Sequence, residues 1–304
     1  MKIIDAHVHL VERIAGFGMN GELRAIGDGK ARWSNGDVKK YIPDGYGDID
    51  FTGESLLRFM DNNNIEKAVL LQGSMYGFQN EYTWEMCNKY PEKFAGACTL
   101  DPFAKNSNQI LERFLNKLNF KIMKFELSNG GGLMGYHNYF ELDGVEMKNI
   151  WSKVAEHNLT VALDLGDRTM ESYQLGAVRR IALEYPNIKI VICHLLAPLP
   201  GEKELLKKNL DFLNLPNIWF DVAALPVFNS SDKYPFPAAQ DNLRIAKRIV
   251  GANKLIWGTD CPHAAVEYPY QELKSYISDF DIFSEEEKQL FFYDNALNVY
   301  FNSK

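Results

Sequence analysis

The sequence predicts an α/β protein, a (β/α)8 TIM barrel with a long loop insertion after its first strand. Three observations predict it. Eight short apolar runs alternate with helical segments along the chain. Those runs are near-continuously hydrophobic, as strands of a parallel sheet covered on both faces must be. The first, sixth and eighth runs end in His or Asp, and a closed barrel brings such strand ends to one mouth. A doubly wound open sheet has no reason to gather them.

The elements follow in order. Lys2–Leu10 is the opening strand and carries His7 and His9. Residues two apart on a strand share a face, so both imidazoles look the same way. Neutral imidazole is a common metal ligand, and such a pair is half of a coordination shell. Asp5 shares their parity; an unpaired carboxylate there would be costly, so it reads as support for the pair. The segment 11–51 is rich in Gly, Asp and Asn and lacks sustained periodicity. A stretch that long inside a compact domain reads as a lid or a small accessory element. Gly53–Asn63 has helical spacing through Leu56, Leu57 and Met60, and Lys67–Gln72 is the second strand. Gln79–Tyr90 is helical and stops at Pro91, before strand Phe94–Leu100. Asn108–Leu118 gathers Ile110, Leu111, Phe114, Leu115 and Leu118 on one face, and strand Phe120–Leu127 follows.

The second half repeats the rhythm. Helices Val145–His157, Met170–Tyr185, Glu202–Leu213 and Ala238–Val250 precede strands Leu159–Asp164, Ile188–His194, Ile218–Val222 and Leu255–Asp260. Ser284 with Glu287 makes a capping box for a last helix reaching about Phe301. The run Glu285–Glu287 therefore reads as first-turn acids facing the helix dipole and not as a metal site.

Composition bounds the function. The chain has 304 residues, 46% hydrophobic and 24% charged, which suits one globular barrel spanning 1–304. A net charge of −7, with no large Lys/Arg cluster, argues against nucleic acid. Cys87, Cys98, Cys193 and Cys261 show no CxxC spacing and read as reduced thiols. The N-terminus runs straight into a strand, so no signal peptide is expected, and no apolar run approaches the roughly 20 residues that span a bilayer. The expectation is a cytoplasmic protein with a small-molecule substrate and no membrane partner.

Asp5-Ala-His7-Val-His9, Ile192-Cys-His194 and Gly258-Thr-Asp260-Cys-Pro-His263, in this order over nearly the whole chain, resemble the amidohydrolase superfamily. The resemblance is greatest to its branch of metal-dependent hydrolases and aminocarboxymuconate-semialdehyde-decarboxylase-like enzymes; Asp294-Asn295-Ala296 resembles that branch's closing helix. It implies a divalent metal, zinc or manganese, held by the strand-one histidines, a strand-five histidine and the strand-eight aspartate. It also implies an acid/base or polarising role for His194 and admits a homodimer built through outer helices.

The sequence departs from the pattern at strand five, which ends in Asp164 where the family has histidine. Either Asp164 replaces that ligand, completing a set of His7, His9, Asp164 and Asp260, or the strand-five ligand is gone and the metal is weak or absent. The expected chemistry is hydrolysis of a small anionic lactone, ester or amide by a metal-activated water. Asp260 would move the water's proton and His194 would polarise the carbonyl. The alternatives are non-oxidative decarboxylation of a small aromatic or muconate-like acid, and a metal-free lactonase.

Three further residues are candidates for substrate binding. Lys124 could hold a substrate carboxylate or simply pair with Glu126 on the same strand face. His263 could line the pocket or sit in a surface loop, and His137 lies in the glycine-rich loop after strand four. Gly130–Gly132 lacks the spacing of a phosphate-binding loop.

Overall fold

A computed structural model describes residues 1–228 and 232–302. Its centre is an eight-stranded parallel sheet. The strands are β1 (Ile4–His9), then, after the accessory strands β2–β5 given below, β6 (Lys67–Leu71), β7 (Phe94–Cys98), β8 (Ile122–Glu126), β9 (Thr160–Asp164), β10 (Lys189–Ile192), β11 (Ile218–Asp221) and β12 (Leu255–Ile256). They pair in sequence order, with registers such as His9 beside Leu71 and Glu126 beside Asp164. Because every strand runs the same way, all eight C-terminal ends share one mouth.

Closure between β1 and the segment after β12 makes the sheet a barrel. The Ala6 N–H donates to Trp257 O at 3.2 Å, the Asp260 N–H to His7 O at 2.8 Å and the His9 N–H to Cys261 O at 2.8 Å. Asp5 ties the seam with its side chain, accepting from Thr259 N (2.9 Å) and Thr259 Oγ1 (2.6 Å). The two segments approach so closely that a Cβ on residue 258 would stand 2.8 Å from His7 Cβ, which only glycine avoids.

Helices surround the sheet with their apolar faces inward. In Ser107–Asn116, Leu111, Phe114 and Leu115 are buried as the spacing predicts. The capping box at Ser284 is present, and the last helix continues through π-helical turns, Leu290–Asp294 and Leu297–Phe301. Its Tyr293, Ala296, Val299 and Tyr300 pack with Ile4, Ala6, Val69 and Val191 into a single apolar cluster inside the barrel. A further helix, Tyr270–Ser278, lies in a stretch the periodicity left unassigned. No helix among the described residues is long and apolar enough to cross a membrane.

The insertion 11–51 is not irregular. It carries a four-stranded antiparallel sheet of β2 (Ala15–Gly18), β3 (Gly21–Gly27), β4 (Lys30–Trp33) and β5 (Val38–Lys40), its base closed by a Val11–Phe51 bridge. The strands are short and half exposed, so their alternation is hidden between Gly and Asp turns. β2 lies against the loops that follow β6 and β8. Phe17 N–H donates to Ser74 O (2.8 Å), Ala15 N–H to Tyr76 O (3.2 Å) and Met19 N–H to Gly130 O (2.9 Å).

Candidate active site

The barrel mouth holds a cavity of about 200 Å³, lined by His7, His9, Glu126, Asp164, His194, Asp260 and His263 together with Met75, Tyr76, Met170 and Phe228. Among the described residues, none of 11–51 lines it; the accessory sheet backs the loop that carries Met75 and Tyr76.

His7 and His9 project from β1 as their parity requires. His7 Nδ1 lies 3.1 Å from Asp221 Oδ2, so it carries the hydrogen and donates it, which leaves Nε2 with its lone pair. That Nε2 is buried and has no hydrogen-bond partner; its nearest carboxylate oxygen, on Asp260, is 3.7 Å away. His9 Nε2 lies 3.0 Å from the same Asp260 oxygen. Burial lowers the pKa of His9 to about 4, so this ring is neutral at physiological pH. Burial works against the charge on Asp260, yet the hydrogen bond from His9 and the positive charge of His194 hold its carboxyl below the usual range.

Ligand atoms of His7, His9 and Asp260 all lie within 4.8 Å of one another. Two imidazoles, one carboxylate and an orphaned buried nitrogen fit a divalent cation, for which the M–N and M–O distances are about 2.0–2.2 Å. A second group, His7, His194 and Asp221, is as compact, but its close contacts are hydrogen bonds that orient the first.

Asp164 lies outside both groups. Its Oδ2 takes the Nε2–H of His194 at 3.0 Å and its Oδ1 takes the Gly166 N–H at 2.9 Å. His194 donates from its other nitrogen to Ala223 O at 2.9 Å, so the ring is doubly protonated. Burial alone would lower its pKa, but the adjoining Asp164 outweighs this and raises it to about 10. His194 and Asp260 both adopt left-handed backbone, at φ 58° and 68°, which is costly for residues with a Cβ and recurs at functional sites. The His194 N–H is held there by Asp221 Oδ1 at 3.0 Å, and the Asp260 N–H by the seam bond to His7.

Lys124 is fully buried and does not line the cavity; its nearest carboxylate oxygen is Glu126 Oε2, at 3.4 Å. Glu126 also accepts from Ser128 Oγ at 2.7 Å. Burial and the adjoining Asp164 raise its pKa. His263 lines the cavity, with Tyr41 of the insertion 5.8 Å away ring to ring. His137 is not brought to this cavity. It pairs with Asp101 at 2.8 Å and packs on Phe103 along a separate, outer groove.

Sequence reasoning missed Asp221, Met170 and Phe228, and it set Tyr76 among aromatics that mostly pack core and rim, without choosing which of them face a substrate. Asp221 ends its strand just as His194 and Asp260 follow theirs, so a signal existed. The other three line the cavity from loops and short turns, where spacing carries no such signal.

Residues 4–301 match the family model described as Amidohydrolase. No curated protein matches the sequence. Among solved structures the chain is similar to a probable 2-pyrone-4,6-dicarboxylic acid hydrolase from Acinetobacter baumannii with citric acid bound. The identity is 20%, the TM-score 0.69, and the match covers 98% of this chain and 99% of that chain. It is similar to an amidohydrolase from Burkholderia multivorans with bound zinc, at 14% identity and TM-score 0.70 over 99% of each chain. It is also similar to 2,6-dihydroxybenzoate decarboxylase from Rhizobium, at 15% identity and TM-score 0.58, over 80% of this chain and 86% of that one. At these identities the likenesses establish the fold alone.

Proposed function

The chain belongs to the amidohydrolase family, and from that premise we propose a metal-dependent hydrolase acting on a small lactone, ester or amide. The observation that carries the reading is the buried, unpartnered Nε2 of His7, facing the cavity beside His9 and Asp260. A cation is the partner this donor set suits.

Zinc or manganese held by His7, His9 and Asp260 would supply a Lewis acid for the scissile carbonyl and lower the pKa of water. The chain's own groups do the rest. Asp260, ionised, accepts a proton from the attacking water as its oxygen bonds to the acyl carbon. The acyl C–O or C–N bond breaks, and that proton passes to the leaving oxygen or nitrogen, giving an acid and an alcohol or amine. His194 turns its Nε2–H from Asp164 toward the oxygen on which charge develops. Asp221 holds the His7 tautomer, and Asp164 keeps His194 cationic. Lys124 does not line the cavity, so this reading gives it no direct contact with the substrate.

The test begins with metal content by plasma mass spectrometry on protein purified without added metal or chelator. Near-stoichiometric zinc or manganese is expected, lost in His9→Ala and retained in Asp164→Asn. A screen of lactones, esters and amides then follows. Full turnover of any hit by Asp260→Asn would falsify the mechanism.

A further inference from the structure

The cations around the cavity face carboxylates already. Lys124 is sealed off nearest Glu126, and His194 faces Asp164. Arg168, next to the rim, pairs with Glu202. The fixed charge that remains toward the opening is negative. Asp167 lines the cavity, half-buried; its Oδ1 takes the N–H (2.8 Å) and hydroxyl (2.5 Å) of Thr169, and it makes no ion pair among the described residues. Two neutral polar groups in the wall, the Tyr76 hydroxyl and His263 Nε2, are buried and have no hydrogen-bond partner. Met75, Met170 and Phe228 supply the apolar lining. The volume of about 200 Å³ is roughly that of six or seven waters at ~30 Å³ each, enough for a single ring.

We infer, resting on the hydrolase reading above, that the substrate is a small uncharged lactone, ester or amide whose apolar body lies against Met75, Met170 and Phe228. A carboxylate arm on that body is rejected. Tyr76 and His263 recognise it through uncharged hydrogen bonds. An arm bearing a carboxylate, reaching from the reacting end toward the opening, would meet Asp167, which has no cation paired with it among the described residues, and like charges brought together out of bulk water repel.

Three chelators that differ only at the far end of one ring test this. They are benzohydroxamate, 4-carbamoylbenzohydroxamate and 4-carboxybenzohydroxamate, titrated into zinc-loaded protein by calorimetry. The hydroxamate end is common to all three, so differences report the wall. The carbamoyl and parent compounds are expected to bind within a few-fold of each other and the carboxyl compound at least tenfold more weakly. In Asp167→Asn that gap is expected to shrink to about threefold or less. Equal or tighter binding of the carboxyl compound overturns the inference. So does equal weakening by the carbamoyl group, which would mean size and not charge, or a gap unchanged in Asp167→Asn. If none of the three binds although zinc is present, the hydrolase reading itself fails and this inference falls with it.

Discussion

Asp221 is the residue whose replacement says most about the site. Its Oδ2 takes the His7 Nδ1–H at 3.1 Å, and its Oδ1 takes two backbone N–H groups, His194 at 3.0 Å and Ala223 at 3.1 Å. Asp221→Asn keeps the shape and leaves one acceptor oxygen where two are needed. If the amide oxygen stays with the two backbone donors, its NH2 faces His7 and forces the other tautomer. Nε2 then carries a hydrogen and ceases to be a ligand. If the amide turns over, two buried N–H groups lose their acceptor, at about 1–3 kcal/mol each. Either way zinc binding weakens. Removing such a partner from a ligating histidine lowers metal affinity about 10–100-fold, or about 1.4–2.7 kcal/mol. Zinc affinity is read by competition with a chromophoric chelator, and the thermal midpoint of metal-free protein reports the backbone cost. A variant that binds zinc within threefold of the native protein, at an unchanged midpoint, refutes the assignment of Asp221 to holding His7.

Two more predictions concern buried carboxylates. Burial raises the Asp5 pKa to about 7, against ~3.9 in an unfolded chain, so between those values the folded state binds the extra proton. Stability therefore falls as pH rises from about 4 to 7, by an amount on the order of 2–4 kcal/mol from this group. Asp5→Asn keeps an acceptor for Thr259 N and should flatten that slope in urea titrations of chelator-treated protein at pH 5 and pH 8; equal slopes in both proteins would count against the argument. Lys124→Met leaves Glu126 without its cation in the interior. Breaking a buried pair costs about 3–5 kcal/mol, an upper bound here because Glu126 is already biased toward its neutral form. Lys124→Met with Glu126→Gln should recover at least half of the lost thermal stability, and a single variant as stable as the native protein would show that the pair carries no such strain.

What the sequence made legible follows from what kind of order each feature has. The barrel was readable because eight buried parallel strands must be apolar along their whole length, and that leaves a mark no open sheet with a solvated face would leave. His7, His9, His194 and Asp260 were readable because a polar side chain at or just past the end of such a run has to be accounted for at the mouth. Asp221 obeys the same rule, yet a lone Asp closing a strand is also an ordinary turn residue. Only the three-dimensional pairing with His7 separates the two meanings. Asp164 shows the opposite limit. Its position on β9 was right for a ligand, but a carboxylate settles on the strongest donor within reach, and His194 across the β9–β10 pair is closer than the His7–His9 group. The accessory sheet and the cavity's apolar lining were not legible. Strands of three to seven residues with one exposed face show too few alternations to count. Met75, Tyr76 and Phe228 acquire their roles from loop closure, which brings together groups with no common period. The candidate site of this fold is thus written at strand ends, where a sequence can be read. The cavity lining is written in the loops, where pairing in space decides it: Lys124, a candidate anchor by its strand position, is fully buried beside Glu126, while Asp167, which no spacing singled out, faces the cavity.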